Sequence, residues 1–198
     1  MSAALGPVLF CVGTDHHRFD RLVGWADDWF AEAAGAAGVS KVVVQHGTSR
    51  APVVAEGHPH LAYADLQRLL AEASAVVCHG GPGLISDARG AGHVPVCVPR
   101  DPALGEHVDS HQMRFADAAG HAGVVRLARH PETMADALSA TLAEARDGTR
   151  PDLGSAGLVA SRAAVHRRLA EELDGLMGRQ PRRRTSVIRS LRRHLGDR

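Results

Sequence analysis

The sequence predicts a doubly wound α/β domain, in which a Rossmann-like parallel sheet carries helices on both faces. Three observations predict this class. Short Val-rich runs recur along the chain, segments with helical spacing separate them, and glycine-rich turns follow several of the runs. Because strands that are buried on both faces read as continuous apolar runs, the alternation indicates a parallel sheet between two helical layers.

The first half of the chain predicts three strands and two helices. The strands cover residues 7–14, 41–48 and 75–78, and the second helix covers residues 64–73. The first helix has apolar residues at the 3.6-residue spacing of a buried face: Phe19, Leu22, Val23, Ala26, Trp29, Phe30 and Ala33. Its acidic residues are expected to face water: Asp20, Asp27, Asp28 and Glu32.

The second half continues the alternation as far as residue 146. The predicted elements are helices over residues 84–91, 107–119 and 131–146, and strands over residues 93–99 and 123–127. Pro131 is expected to be the first residue of the last helix, with Glu132 near the positive end of the helix dipole.

The charge balance changes after residue 149. Residues 1–149 carry 11 Arg and Lys against 17 Asp and Glu, whereas residues 150–198 carry 12 against 5. We therefore divide the chain into a ligand-binding domain over residues 1–149, a linker and packing helix over residues 150–178, and a basic tail over residues 179–198. The tail is expected to be either amphipathic or disordered.

Composition excludes several classes of protein. Apolar residues make up 44% of the chain, but no run approaches the ~20 apolar residues of a membrane-spanning helix. No secretory signal pattern opens the sequence, so a cytoplasmic protein is expected. Cys11, Cys78 and Cys97 lie in apolar runs without a CxxC pair, which favours buried structural thiols. The acidic first 149 residues and the 4% aromatic content argue against nucleic-acid binding.

Four polar, glycine-rich loops are expected to form one crevice, over residues 13–20, 46–50, 79–83 and 100–112. Ligands of open parallel sheets bind outside the carboxyl ends of the strands, so His46 and Gly47 are expected to line the crevice with the other loops. The third loop reads "HGGPG" and precedes a helix, whose unpaired N–H groups and positive dipole end favour an anion such as phosphate. A bulky residue at Gly81 is expected to abolish ligand binding with little effect on thermal stability.

Other interpretations of these loops need residues that the sequence lacks. A dinucleotide fold needs GxGxxG where the first turn reads "GTDHHRFD", and a P-loop needs GxxxxGK[ST]. A hydrolase needs a GxSxG nucleophile elbow. His107, Asp109 and His111 have the spacing of a helical metal site, but no second cluster completes the ligand shell, so no metal and no cofactor is assigned. The glycines of the third loop are also compatible with an ordinary strand-to-helix turn that binds no ligand.

Two motifs, in the right order along the chain, resemble a known family. "VLFCVGTDHHRFDRLV" is similar to the opening of the small catalytic subunits of two-chain UDP-sugar glycosyltransferases. "CHGGPGLISDARGAGHVPVCVPR", followed by "GEHVDSHQ", is similar to their second half, and the bacterial exopolysaccharide group resembles it most. The resemblance covers about residues 7–145. It implies the C-terminal, donor-binding half of a glycosyltransferase family 28 enzyme with the GT-B fold.

The resemblance also implies roles for individual residues. Gly13 and Thr14 would line the cleft for the UDP-sugar, while His79, Gly80, Gly81 and Gly83 would receive the pyrophosphate, assisted by Arg100 or a protonated His79. Asp87 would contact the ribose, where relatives have glutamate, and Leu84 stands where relatives commonly have threonine. The sugar and its phosphate would be held by residues of the last loop: Arg100, Glu106, His107, Asp109, His111 and Gln112.

Glycosyl transfer also needs a base for the acceptor hydroxyl. His16, His17 and His107 are candidates, because they lie in cleft loops and histidine accepts protons near neutral pH. The acceptor-binding half is expected in a membrane-anchored partner subunit that presents a lipid-linked or polysaccharide acceptor, with the basic tail reaching the inner face of the plasma membrane. The alternative is a non-catalytic module that binds a nucleotide sugar and regulates or scaffolds a partner.

Overall fold

A six-stranded, entirely parallel sheet forms the centre of the computed structural model, which describes residues 5–149. The strands are β1 Val8–Cys11, β2 Val42–Gln45, β3 Glu56–His58, β4 Ala75–Cys78, β5 Val96–Cys97 and β6 Arg126–Leu127. Their spatial order is β3-β2-β1-β4-β5-β6, and every neighbouring pair is parallel. This is the doubly wound order, with its reversal between β1 and β4. The predicted fold class is confirmed.

Five helices cover the two faces of the sheet. They are α1 Asp20–Glu32, α2 Tyr63–Glu72, α3 Pro82–Gly90, α4 His111–His121 and α5 Pro131–Asp147. On one face, α1 and α5 pack against strand residues such as Phe10, Val44 and Val77. On the other face, α2, α3 and α4 pack against the alternate strand residues, such as Leu9 and Val76. The central strands β1, β2 and β4 are therefore buried on both faces, as their Val-rich sequences require.

The edge strand β3 is absent from the sequence prediction, because its residues Glu56, Gly57 and His58 have no strand-like composition. It forms because the chain before it is anchored on α1. The Asp27 carboxylate accepts backbone hydrogen bonds from Val53 at 2.9 Å and from Val54 at 3.1 Å. The expectation that Asp27 faces water is therefore wrong: it is 7% exposed.

Besides β3 and Asp27, the start of α4 also differs from the prediction. A helix was expected from residue 107, but α4 begins at His111 and residues 107–110 form bends. The Asp109 carboxylate accepts a 2.9 Å hydrogen bond from the His111 N–H, which satisfies one of the free donors that every helix start leaves. His107 and His111 therefore do not stand one turn apart on a helix.

Among residues 5–149, no helix is long and apolar enough to span a membrane. The predicted packing helix and basic tail, residues 150–198, lie outside the described residues.

Candidate functional site

The loops that follow β1 and β4 meet at the topological switch point. Cys11 and Cys78, the last residues of the two strands, are register partners, so both loops leave the sheet at the same level. The loop after β2 joins them, because a Cβ on Gly47 would lie only 2.8 Å from the Gly13 carbonyl oxygen. The structure thus brings the first three predicted loops together at one crevice.

The turn after β4 leads directly into the N-terminus of α3. Gly81 is the N-cap residue, Pro82 is the first helical residue, and no side chain caps the helix. Gly83 is exposed, and a Cβ there would meet nothing within 4 Å. The first N–H groups of α3 therefore open onto the crevice without a side-chain acceptor, which is the arrangement that binds an anion.

His79 lies between two glycines of the crevice. A Cβ on Gly13 would come within 2.6 Å of the imidazole, and a Cβ on Gly81 within 2.4 Å. Gly13 also has a φ of 86°, which disfavours any other residue. A side chain at Gly81 would have to displace the His79 ring, and the expectation that stability hardly changes remains a prediction.

Burial lowers the pKa of His79 to about 4, and the neighbouring charge of Arg100 acts in the same direction. His79 is therefore neutral at neutral pH. In the protein without a bound donor, desolvation of the charged imidazole outweighs the nearby Asp15 carboxylate; a protonated His79 beside a pyrophosphate remains a prediction.

Gln45, which sequence reasoning missed, fixes the Gly13 turn. Its amide oxygen accepts a 3.0 Å hydrogen bond from the Gly13 N–H, and its amide nitrogen donates to the Gly13 carbonyl at 3.0 Å. The same nitrogen donates to the Pro59 carbonyl, also at 3.0 Å. The sequence offered one signal, a polar residue at the end of an otherwise apolar Val run.

The loop after β2 supports the β1 loop through hydrogen bonds. His46 Nδ1 lies 3.1 Å from the Ser49 carbonyl oxygen, so this side chain closes its own turn. Thr48 Oγ1 donates to the His16 carbonyl at 3.1 Å, and Ser49 Oγ accepts a 2.7 Å hydrogen bond from the Phe19 N–H. Thr14 remains exposed at the front of the crevice.

Arg100 lies beneath the crevice, where its side chain is fully buried. Its guanidinium donates to the carbonyl oxygens of Val12 at 2.7 Å, His17 at 2.7 Å and Glu106 at 3.0 Å. It also lies 4.9 Å from the centre of the Phe19 ring. The expectation that Arg100 contacts the donor's phosphate is therefore corrected: its donors hold three segments of backbone together.

Glu106 has the same supporting role. It is 5% exposed and forms a two-pronged ion pair with Arg21, at 2.9 Å to Nε and 2.7 Å to Nη2. Its Oε2 also accepts a 2.8 Å hydrogen bond from the Asp101 N–H. Since these partners occupy both carboxylate oxygens, the expectation that Glu106 contacts the sugar is corrected.

Asp15 is the central carboxylate of the site, and sequence reasoning missed it. Its Oδ1 lies 2.6 Å from His17 Nδ1 and 3.7 Å from His16 Nδ1, and its Oδ2 lies 3.8 Å from His107 Nε2. The structure thus gathers the three predicted base candidates around one acidic group. The signal was the Asp that directly precedes the His pair in "TDHHRF".

Burial alone would raise the pKa of Asp15. Hydrogen bonds from the backbone and imidazole of His17, together with the charge of Arg100, lower this pKa by more than burial raises it. The net result is a pKa of about 2. Asp15 is therefore ionised at neutral pH. An ionised acceptor at Nδ1 favours the His17 tautomer that leaves Nε2 free to accept a proton.

His107 has a different environment. Its Nδ1 accepts a 3.3 Å hydrogen bond from the Asp109 N–H, so the neutral ring carries its proton on Nε2, towards Asp15. Neither nitrogen is then free to act as a base, which disfavours His107 among the three candidates. His111 Nδ1 lies 2.7 Å from Asp109 Oδ1, which extends the chain of paired groups to the start of α4.

Two other predicted site residues lie on helices that begin at the crevice. Gln112 is the second residue of α4, and its Oε1 is buried with no hydrogen-bond partner among the described residues. Asp87 lies on α3, half-buried, one turn after Leu84. Leu84 packs against the apolar clusters beneath α3, so it contributes to the core instead of supplying the hydroxyl that a threonine would offer.

A doubly wound sheet with a glycine turn and an uncapped helix at its switch point is the arrangement in which open α/β domains bind nucleotides and other anionic ligands. The family model for the glycosyltransferase family 28 C-terminal domain matches residues 8–163. The chain therefore belongs to glycosyltransferase family 28. No curated protein matches it.

Solved structures with a similar fold are glycosyltransferases. The glycotransferase of kitacinnamycin is 20% identical, with a TM-score of 0.55 over 87% of this chain and 43% of its own. The spinosyn forosaminyltransferase SpnP is 16% identical, with a TM-score of 0.51 over 90% of this chain and 45% of its own. The chain thus spans less than half the length of these enzymes.

Proposed function

We propose that the chain is the donor-binding, catalytic subunit of an inverting, metal-independent glycosyltransferase. It moves a hexosyl or glucuronosyl group from a UDP-sugar to a lipid-linked or polysaccharide acceptor in exopolysaccharide biosynthesis. The observation that carries this proposal is the uncapped N-terminus of α3 beside Gly80 and Gly81, at the switch point of the sheet. The family membership supports a nucleotide-sugar donor at that place.

The donor's diphosphate would lie against the first N–H groups of α3, with Gly83 leaving room for it. A helix N-terminus stabilises an anion by only about 0.3–2 kcal/mol. The charge of Arg100 acts on the turn from beneath, but its donors serve backbone carbonyls, and His79 is neutral before a donor binds. Further stabilisation of the leaving group is therefore expected from the facing half of the active site.

His17 is the favoured base, with Asp15 as its positioning residue. In the proposed step, His17 Nε2 takes the proton of the acceptor hydroxyl while that oxygen bonds to the anomeric carbon. The bond from that carbon to the diphosphate oxygen breaks, and UDP leaves with the electron pair. Attack opposite the leaving group inverts the anomeric centre. The 2.7 Å hydrogen bond from Arg100 to the His17 carbonyl keeps the loop in place for this step.

The acceptor-binding half is proposed to be a membrane-anchored partner subunit. The GT-B enzymes compared above are more than twice as long as the matched part of this chain, so the match corresponds to about one half of such an enzyme. The basic tail, outside the described residues, would assist at the anionic inner face of the plasma membrane, since each Arg near such a surface contributes about 1 kcal/mol.

A thermal-shift series with UDP, other nucleotides and UDP-sugars tests donor binding. Uridine nucleotides are expected to raise the melting temperature more than adenine or guanine nucleotides do. With the partner and acceptor added, transfer is expected to persist in a chelator and to give a product of inverted anomeric configuration. The absence of stabilisation by every uridine nucleotide would contradict the proposal.

The second candidate function is a non-catalytic module that binds the nucleotide sugar and regulates or scaffolds a partner. Leu84 favours it, because its side chain packs into the core and offers no hydroxyl to a phosphate. The same assay separates the two functions. The module is favoured if UDP-sugar stabilises the chain but no sugar is transferred. The partner used in this assay must be one that supports transfer when it is combined with another donor-binding subunit.

A further inference from the structure

Asp15, His16 and His17 form a cluster whose ligand atoms all lie within 4.8 Å of one another. The three side chains belong to consecutive residues of one loop, at the mouth of the crevice. Asp15 and His17 are half-buried, and the His16 side chain is 83% exposed. A carboxylate and two imidazoles are ligands of a borderline transition-metal cation, whereas Mg²⁺ and Ca²⁺ prefer oxygen ligands alone.

Two of the three separations between ligand atoms can be compared with those around a zinc ion. Tetrahedral zinc, with bonds of about 2.0–2.2 Å, places its ligand atoms about 3.4 Å apart. His16 Nδ1 lies 3.7 Å from Asp15 Oδ1, which is close to that value. His17 Nδ1 lies 2.6 Å from the same oxygen, so this pair has to separate slightly. The exposed His16 leaves a fourth position open to water.

The backbone around the cluster is fixed before any ion arrives. Arg100 holds the His17 carbonyl at 2.7 Å, and Thr48 Oγ1 donates to the His16 carbonyl at 3.1 Å. Preorganisation lowers the cost of bringing ligands together. His107 Nε2, which carries the ring proton, lies 3.8 Å from Asp15 Oδ2 and would have to move closer to hydrogen-bond to this carboxylate as an outer-shell group does.

We propose that Asp15, His16 and His17 bind Zn²⁺, with the fourth position occupied by water or a ligand oxygen. Zn²⁺ bound at Nδ1 takes the position of the ring proton, which moves to Nε2 of the neutral His17 imidazole. Nε2 is then no longer free to accept the proton of an acceptor hydroxyl. On the basis of the proposed function, bound Zn²⁺ would therefore inhibit a transfer reaction that itself needs no metal.

Direct titration of the full chain with Zn²⁺, free of purification tags, tests the site without donor or partner. Isothermal calorimetry is expected to show one tight site, and Co²⁺ in its place is expected to give the intense visible absorption of a four-coordinate ion. Asp15→Asn and His16→Gln are each expected to weaken this binding by about tenfold or more. His16→Gln is the safer variant for folding, because the His16 side chain is largely exposed.

His111→Gln is the matched control, because His111 also has a carboxylate partner, Asp109 at 2.7 Å, but belongs to no three-ligand cluster among the described residues. Its zinc affinity is expected to remain that of the unaltered chain. Zinc binding that Asp15→Asn and His16→Gln leave unchanged, or no tight binding at all, would overturn the inference. Zinc binding in a chain that binds no uridine nucleotide would support the metal site and contradict the proposed function, so the two failures are distinguishable.

Discussion

The Arg100 guanidinium donates a 2.7 Å hydrogen bond to the His17 carbonyl, so a fully buried cation positions the loop that carries the proposed base. The same side chain donates to the carbonyl of Val12, where β1 ends. Arg100 thereby connects the end of β1 to the loop that carries His17. A residue that sequence reasoning assigned to the ligand instead determines the shape of the site.

Replacement of Arg100 by Lys is expected to lower the free energy of unfolding by about 2–4 kcal/mol, because a single ammonium group cannot serve three carbonyl oxygens held in a guanidinium's fork geometry. Urea denaturation measures the change. Arg68→Lys, on the exposed face of α2, is the control and is expected to have no effect. Equal stability of the two variants would show that Arg100 is not a structural anchor.

Asp15→Asn is expected to make the protein less stable at neutral pH but not at strongly acidic pH. The folded pKa of about 2 is below the usual 3.8, so the ionised carboxylate stabilises the fold above that usual value. This contribution, about 1–2 kcal/mol, is lost as the pH falls from about 4 to about 2. Urea unfolding of both proteins between pH 2 and pH 6 measures it. A stability difference that stays constant or grows in acid would contradict the assignment.

His17→Gln is expected to lower kcat for glycosyl transfer by about 10²–10⁴, the usual contribution of a general base. Binding of UDP should change by less than about twofold, because the base does not contact the leaving group. His121→Gln, at the exposed C-terminal end of α4, serves as the control in the same assay. A variant that keeps its kcat would remove His17 from the mechanism.

The three cysteines are expected to be unreactive in the folded protein. Cys11, Cys78 and Cys97 are at most 1% exposed. Burial and the neighbouring Cys78 raise the pKa of Cys11, whereas a hydrogen bond from Cys97 lowers the pKa of Cys78. Burial decides the outcome, because an aromatic disulfide reagent cannot reach Cys78. Absorbance should show no thiol titration before unfolding and three thiols in denaturant; rapid native labelling would contradict the packing.

The sequence was sufficient to predict five of the six strands, since strands buried in a parallel sheet leave continuous Val-rich runs and the helices between them leave 3.6-residue spacing. It did not reveal β3, whose three residues pair with β2 after a loop that Asp27 anchors on α1. That interaction joins residues far apart in the chain and leaves no periodic signal.

For the site, spacing indicated which loops meet but not which side chains face the ligand. The glycine turn and the three histidines could be placed near the crevice from the strand ends alone. The directions in which the Arg100 and Glu106 side chains point could not be predicted. They depend on tertiary contacts, which Arg100 makes with the backbone of the β1 loop and Glu106 makes with Arg21. Charged residues beside glycine-rich loops suggest ligand contacts, yet here they satisfy buried protein groups.

The central claim is that the N-terminus of α3 binds the donor's diphosphate, and two glycines of that helix test it. Gly83 lies at the crevice end and Gly90 at the other end, and a Cβ at either would meet nothing within 4 Å. Leucine at either position should therefore leave the fold intact, but only at Gly83 should it occupy the space that the diphosphate needs.

Calorimetric titration of UDP into Gly83→Leu, Gly90→Leu and the unaltered chain is the most direct measurement. The account predicts one UDP site in the unaltered chain and in Gly90→Leu. It predicts at least about tenfold weaker binding in Gly83→Leu, a loss of about 1.4 kcal/mol or more. Equal UDP affinity in all three proteins would place the ligand elsewhere and contradict the claim.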